Sequence, residues 1–517
     1  MTSEIYKIGK NILENLTSGM YTDSKFIYRE YVQNAADAID SAISQGIISK
    51  EDAKILINIS SSDRTVCIED NATGITQNEI GASLGNIADS DKDASINKGF
   101  RGIGRLGGLA YCKKLIFETS AINEPIKTVM IWNAELLHNI LNNSLDKSDA
   151  ASVIDKIVQI NTEKAETSEH YFKVTLQDIK QSNNDLLDKK LITEYLSQVA
   201  PVDFNTNAFL LGRKIKEEMQ NHGHNLDTYK VYINNDQLYK VYQTSLLDTD
   251  DRKYDEIRDI DYKEFYNSKG ELLAWGWVGI SKFDKCIPEK NNLQRGIRLK
   301  KANIQLGGAE TLNKLHKEPR GNGYFVGEIH AVHSDLKPNA RRDYFNETST
   351  LKDLEAKLKA YFIELYNLYH LANDQKNAIK KQQEYVQRKQ EYEEKQKTGD
   401  FINPEDQKKS LKQLEELKYK AEKAKKDSDR ISKKAEGDER LKRTVTLIKE
   451  KYGNDITDIS KIKEKNIENK KIFRANKLNK LNREERKLIG KIYEILEKVL
   501  DPETKACVIN KIEEEFS

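Results

Sequence analysis

The sequence predicts an α/β protein in three parts: an N-terminal two-layer α+β sandwich, a second α/β domain and an all-α coiled-coil region. Helical and strand patterns alternate through residues 1–200, which favours a mixed sheet covered by helices on one face. Hairpin signals follow in residues 221–345, which we assign to the second domain. Beyond Asn346 the chain changes to long charged segments with helical periodicity.

The first domain, residues 1–200, begins with helical periodicity over residues 5–16 and 25–45. Short runs rich in β-branched and aromatic residues then predict five strands. These runs cover residues 53–60, 65–70, 114–119, 128–133 and 171–178.

The second domain, residues 221–345, contains two hairpin signals. VYINNDQLYKVY is predicted to turn at Asn234-Asn235 and FYNSKGELLAWGW at Lys269-Gly270, because these residues tolerate positive φ. Further strands are predicted within residues 296–306 and 324–332. Trp275 and Trp277 flank a glycine in the second hairpin, and we expect both to pack in a core.

Residues 346–437 are predicted to form a coiled-coil helical arm. Apolar positions recur at steps of four and three, first from Leu354 to Ala372 and again from Leu417 to Ala435. Such steps place a narrow seam against a partner helix. Between them, Asn403 can cap and Pro404 can begin a new helix. The alternative is a single solvated helix stabilised by Glu–Lys pairs.

Residues 438–517 are predicted to form a C-terminal helical domain of mixed charge. Its last segment has two amphipathic helical patterns. They are separated at Asp501-Pro502, because proline cannot continue the first helix.

Composition narrows the functional classes. The 517 residues carry 85 basic and 83 acidic side chains, so the charge balance does not indicate nucleic acid or membrane as a partner. Four widely separated cysteines form no CxxC pair, which favours a reducing compartment. No apolar run approaches about 18 residues, and the N-terminus lacks the apolar core of a signal peptide. We therefore expect a soluble, cytoplasmic protein.

The segment from residue 21 to 40 predicts a helix with three polar side chains on one face. Glu30, Asn34 and Asp37 stand at i, i+4 and i+7, so they project in the same direction. From spacing alone, the simplest interpretation is the solvated face of an amphipathic helix. The motifs that follow favour a functional site instead.

A predicted strand ends at Asp70 and leads into a turn with Gly74. A buried carboxylate at a strand end can accept a hydrogen bond from the amino group of adenine, and a glycine lets the purine approach the backbone. An ordinary Asp-Asn turn is the alternative.

Residues 83–112 contain a glycine-rich stretch that includes Gly102, Gly104, Gly107 and Gly108. Repeated glycines expose backbone N–H groups to phosphate oxygens, and a following helix N-terminus favours negative charge. Taken alone, such a cluster is often only a flexible loop.

Together these motifs resemble the GHKL ATPases, which include gyrase, the ninety-kilodalton heat-shock chaperones, histidine kinases and MutL mismatch-repair proteins. REYVQNAADA, residues 29–38, is especially similar to the chaperone form of the helix motif. The resemblance implies that Glu30 orients and deprotonates the attacking water. It also implies that Asn34 coordinates Mg²⁺ through its amide oxygen, with Asp37 in a supporting role.

The same resemblance implies roles for the next two motifs. Asp70 would read adenine, and the glycine-rich stretch would form an ATP lid and phosphate-binding box. Ser83 stands where the chaperones have an asparagine that approaches the nucleotide. Lys98 or Arg101 would supply positive charge to the phosphates.

A fourth segment, HSDLKPNARRDYF, residues 333–345, resembles the chaperone middle-domain loop whose arginine reaches the γ-phosphate. We assign that role to Arg342, with Arg341 in reserve, because an arginine there stabilises the charge of phosphoryl transfer. Ordinary surface charge is the alternative. The resemblance makes residues 221–345 a middle, transducer-like domain.

The resemblance implies an ATPase that uses ATP and Mg²⁺ and works as a chaperone-like conformational clamp. Its partners would be a second copy in a homodimer and a protein client or effector. The alternative is an ATP-gated sensor or clamp that controls a nuclease or DNA partner, for example in prokaryotic antiviral defence. A histidine kinase is a poorer interpretation, since no phospho-acceptor helix precedes the ATPase block.

Overall fold

The computed structural model describes residues 8–17, 23–85, 104–398, 401, 404–453, 478 and 480–516. The chain divides into two compact units, residues 1–366 and 367–517. Within the described residues, the first unit contains all of the strands and the second is helical.

Eight strands form the first sheet: β1 (Lys54–Ser60), β2 (Thr65–Asp70), β3 (Lys114–Ser120), β4 (Ile126–Asn133), β5 (Val158–Lys164), β6 (Tyr171–Gln177), β7 (Lys230–Ile233) and β8 (Asp236–Gln237). They lie in the order β5-β4-β3-β6-β2-β1-β7-β8. Neighbouring strands are antiparallel except β1 and β7, which are parallel. The five strands predicted in the first domain are confirmed. The prediction missed β5, an edge strand whose mostly exposed side chains lack the apolar alternation of a buried one.

Helices cover the face of this sheet that carries its buried side chains. They are α1 (Ile12–Thr17), α2 (Phe26–Ser44), α3 (Ala134–Asn142), α4 (Ala150–Ile157) and α5 (Lys189–Val199). The apolar side of α2 is buried from Ile27 to Ala42 because its apolar residues recur at helical spacing. The helix predicted over residues 25–45 is confirmed; of the one predicted over 5–16, residues 1–7 lie outside the described residues.

The β7–β8 hairpin completes the first sheet, so its predicted place in the second domain is wrong. Its turn at Asn234-Asn235 is confirmed, with both residues at positive φ. Val231 and Ile233 are buried and pair in parallel with Ile55 and Ile57 of β1. The chain therefore returns from the second domain to add strands to the first. Parallel partners are distant in sequence, so local patterns could not reveal this pairing.

The rest of the first unit contains α6 (Gly212–Asn221) and two further sheets. A two-stranded sheet pairs β9 (Ser245–Leu247) with β10 (Lys253–Glu256), and a larger one contains β11 (Asp259–Tyr266), β12 (Leu272–Ile280), β13 (Gly296–Lys301), β14 (Ile304–Gln305) and β15 (Val326–Ala331). The larger sheet has the order β11-β12-β15-β13-β14. The hairpin turning at Lys269-Gly270 is confirmed as β11–β12. Trp275 and Trp277 are buried in the core beside it, as predicted.

The described residues of the C-terminal region form five helices: α7 (Ser349–Thr398), α8 (Pro404–Ala435), α9 (Glu439–Tyr452), α10 (Arg483–Val499) and α11 (Pro502–Phe516). Helix α7 begins in the first unit and ends in the second. Gln375 of α7 donates to Ser428 of α8 over 2.8 Å, and Ala421, Ala424 and Ile431 of the predicted seam are buried. Helices α7 and α8 thus form a helical hairpin that contacts along the predicted seam, and the predicted break between α10 and α11 is confirmed. Asn403 lies outside the described residues. Within the described part of the chain, no helix is both long and apolar enough to cross a membrane.

Candidate functional site

Helix α2 carries the three predicted polar residues on one side. Glu30 and Asp37 are buried, with 4% and 6% of their surface exposed, and Asn34 is half-buried. The helix packs against β1 and β2, so its backbone is fixed where these side chains begin. A half-buried amide beside two buried carboxylates is a polar site that solvent can still reach.

The two residues predicted to act in catalysis lie together. Arg342, from the loop after β15, places its Nε 3.1 Å from Glu30 Oε1, and both side chains are buried. Arg342 has φ 54°, and its carbonyl accepts hydrogen bonds from Gly307 N and from Arg29 Nη2. Arg342 therefore combines a left-handed backbone conformation with a buried guanidinium, whereas the neighbouring Arg341 is exposed. The pair offsets part of the cost of burying each charge.

The described part of the glycine-rich stretch forms a short 3₁₀ segment, Gly104–Ala110, against α2. A Cβ at Gly104 would collide with Glu30 Oε2, so only glycine lets the backbone pass this close to the carboxylate. Gly107 and Gly108 are buried. Gly108 N donates to the Tyr31 hydroxyl over 3.2 Å, so that N–H points to α2.

Asp70 lies at the end of β2, and 4% of its surface is exposed. Its Oδ1 accepts from Ala72 N over 3.1 Å, which shapes the turn after the strand. The carbonyl of Ala72 contacts His170 Nδ1 at 2.8 Å on the far side of the same turn. The predicted buried carboxylate at a strand end is therefore present.

Gly74 closes this turn against β3. It has φ +65°, and a Cβ there would collide with the carbonyl of Ser120. Thr119 Oγ1 accepts from Ile75 N over 2.9 Å and donates to Tyr171 O. The turn is thereby fixed by β3 and β6, and glycine is required by sterics as well as by φ.

The remaining predicted residues lie elsewhere. Ser83 is exposed in the short helical segment Gly81–Gly85. Lys98, Arg101 and Gly102 lie outside the described residues. The individual binding and catalytic roles of all these residues stay predictions.

ATP and Mg²⁺, which the motifs imply, are compatible with the residues present. Glu30 Oε1 is buried and is ion-paired with Arg342, but no donor of the described residues is aligned to form a hydrogen bond to it, so it can still accept one from a water. Asn34 offers one amide oxygen, and Mg²⁺ commonly takes few protein ligands and completes its shell with phosphate and water oxygens. Among the described residues, no group of three or more His, Cys, Asp and Glu side chains is arranged to hold a metal.

Sequence reasoning missed Tyr31, Thr119 and His170. Tyr31 follows Glu30 in the sequence, where it fits the helical pattern as one more apolar residue. Thr119 and His170 reach the Asp70 turn from other strands and loops. Only pairing across the sheet could have indicated the last two.

A family model described as "Histidine kinase-, DNA gyrase B-, and HSP90-like ATPase" matches residues 21–167. This segment contains α2, the Asp70 turn and the glycine-rich segment. These three elements form the part of the site that belongs to the first sheet and its helices. Arg342 lies outside it.

Curated relatives are chaperone proteins named HtpG. That of Shouchella clausii is 23% identical over 274 residues, covering 50% of this chain and 40% of the relative. That of Shewanella baltica is 26% identical over 164 residues, covering 28% and 26%. That of Halalkalibacterium halodurans is 30% identical over 131 residues, covering 22% and 21%. The matches therefore span less than half the length of these relatives.

Proposed function

We propose, from the match of residues 21–167 to the histidine kinase-, gyrase B- and HSP90-like ATPase model, that the protein binds and hydrolyses Mg-ATP to drive a chaperone-like conformational clamp. The observation that carries the proposal is the pairing of Glu30 with Arg342. It brings a carboxylate from the ATPase domain and a cation from the second domain to one point. Phosphoryl transfer needs little more from a protein than such positioning and charge.

Each residue has a role that follows from its place. Glu30 would orient a water and take its proton, with Arg342 beside its Oε1. Arg342 provides positive charge where negative charge develops. Asn34 would hold Mg²⁺, which screens the charge of the triphosphate when bound. Asp70 would accept from the adenine amino group, and the glycine-rich segment would supply N–H groups to phosphates.

We also propose that the protein works as a homodimer with a protein client or effector. The HtpG matches and the helical hairpin beyond the ATPase unit support this proposal. Nucleotide would then shift the equilibrium between conformations rather than alter a substrate covalently.

Calorimetry with purified protein tests binding. ATP should bind in a Mg²⁺-dependent manner, and Asp70→Asn should weaken binding about 100-fold or more, because a buried donor–acceptor match is lost. Glu69→Gln is the matched control: it changes the adjacent residue of β2, which is half-buried and alternates to the opposite face. No binding by the unaltered protein would refute the proposal.

Phosphate release tests hydrolysis. Glu30→Ala should keep ATP affinity within about threefold and lower turnover about 10³-fold, as loss of a general base predicts. Turnover that survives this substitution would remove Glu30 from the mechanism.

A further inference from the structure

Tyr31, the neighbour of Glu30 on α2, bonds to the glycine-rich segment at two points. Its hydroxyl donates to Arg105 O over 2.9 Å and accepts from Gly108 N over 3.2 Å. The side chain is buried, with 3% of its surface exposed. One hydroxyl thus fixes two backbone groups that lie three residues apart.

The contact leaves no room for a side chain at Gly108. A Cβ at Gly108 would lie 2.6 Å from the Tyr31 hydroxyl and 3.0 Å from Leu115 Cδ1. At the other end of the segment, Gly104 lies directly against Glu30. Residues 30 and 31 of one helix turn therefore contact Gly104, Arg105 and Gly108 of the segment.

The C-terminal end of the segment has a separate anchor. Lys180 Nζ donates to Ala110 O over 2.7 Å, and Lys180 N donates to Tyr111 O over 2.9 Å. A cation at the last carbonyls of a helical turn is electrostatically favourable, although desolvation by burial lowers the pKa of the Lys180 amine. Because this anchor does not involve Tyr31, removing the Tyr31 hydroxyl should loosen the segment without detaching it.

We propose that Tyr31 is a positioning residue whose hydroxyl holds the backbone of Gly104–Ala110 at the spacing from Glu30 that a bound triphosphate requires. The inference rests on the proposed function, which assigns N–H groups of this segment to phosphates; that of Gly108 is taken by the Tyr31 hydroxyl instead. Groups that are already ordered bind an anion without a further loss of conformational entropy. Tyr31 does not touch the reacting atoms and acts through the segment.

Tyr31→Phe tests this, with Tyr28→Phe as the matched control. Tyr28 is on the same helix, is fully buried and donates to Leu186 O over 2.6 Å, so both variants lose a hydrogen bond to the backbone. Tyr31→Phe should raise the KM for ATP about fivefold to tenfold and leave kcat within about twofold, because ordering the segment then opposes binding. Adenosine, which lacks phosphates, should bind both variants as it binds the unaltered protein.

The outcomes separate the two proposals. Failure of the unaltered protein to bind ATP would refute the proposed function, and this inference with it, before any variant is made. If the unaltered protein binds ATP but Tyr31→Phe behaves like Tyr28→Phe, this inference alone is wrong. Equal weakening of adenosine and ATP by Tyr31→Phe would also overturn it, since that pattern indicates a general structural role.

Discussion

Glu30 and Glu328 are both buried carboxylates in the first unit, but their surroundings differ. Glu328, on β15, is 1% exposed at its side chain and lies 2.7 Å from Lys240 Nζ, 3.1 Å from the Tyr242 hydroxyl and 3.0 Å from His330 Nε2. Glu30 is 5% exposed at its side chain, and in the described part of the chain its charge partner is Arg342.

The two carboxylates also differ in hydrogen bonding. Glu30 Oε1 accepts no hydrogen bond from the described residues, whereas donors reach both oxygens of Glu328. An oxygen surrounded by donors has no capacity left for a substrate, so Glu328 stabilises the fold. Glu30 Oε1 has the nearby charge of Arg342 but no donor aligned for a hydrogen bond, so it keeps capacity to accept one from a water. Two equally buried carboxylates can therefore serve different purposes: Glu328 stabilises the fold, and Glu30 can accept a hydrogen bond from a water.

Arg342→Ala tests the difference between the Glu30 and Glu328 sites with the largest expected effect. We expect turnover to fall about 10³-fold, the low end for loss of an arginine that stabilises phosphoryl transfer. Arg341→Ala, an exposed neighbour, is the control and should change turnover less than about twofold. Phosphate release per folded molecule is the measurement. Equal effects of the two substitutions would mean that the Glu30 pair is only structural.

Glu328→Gln should have the next largest effect, and on a different quantity. Removing one member of a buried charge cluster leaves Lys240 and Lys300 without their anion, so the free energy of unfolding should fall by about 4 kcal/mol. Urea unfolding followed by the fluorescence of Trp275 and Trp277 measures the loss. Glu271→Gln, at an exposed position, is the control. ATP turnover per folded molecule should not change, and a selective loss of turnover would contradict the assignment.

Lowering the pH should reduce the free energy of unfolding through His330, which lies beside Glu328, and this effect should be smaller. Desolvation by burial lowers the pKa of His330 to about 4, while an unfolded histidine titrates near about 6.5. Between these values the unfolded chain binds the extra proton, so stability is complete above about pH 6.5 and declines as pH falls toward 4. The loss should be roughly 3 kcal/mol. Unfolding free energies measured across this pH range should vary less in His330→Gln than in the unaltered protein. An unchanged dependence on pH would show that other groups cause the loss of stability.

The sequence indicated much of the fold, for identifiable reasons. Strand β2 and helix α2 have strong local periodicity, and the β7–β8 turn has Asn234-Asn235, whose tolerance of positive φ fixes a tight turn. Strand β5 escaped prediction because its exposed face and polar composition remove the local signal. The partner of β7 also escaped, because parallel pairing joins distant segments.

In the candidate site, too, residues with a local sequence signal were predictable and residues that depend on distant contacts were not. Glu30, Asn34 and Asp70 were identifiable because their motif lies on one helix and one strand end. The burial of Arg342 rather than Arg341 rests on its contact with Glu30, which is 312 residues away in the sequence, and no local pattern reveals it. Tyr31 and the Glu328 cluster depend on contacts between segments that are far apart in the sequence.

The return of β7 to the first sheet bears on how the N-terminal half can be isolated. A fragment that stops at residue 200 would lack β7, and the backbone groups of Ile55 and Ile57 that face Val231 and Ile233 would lie along an open sheet edge. Such an edge can recruit another chain and invites aggregation. Leu238 N still bonds back to Val231 O. An N-terminal fragment that avoids this aggregation should therefore extend past Leu238.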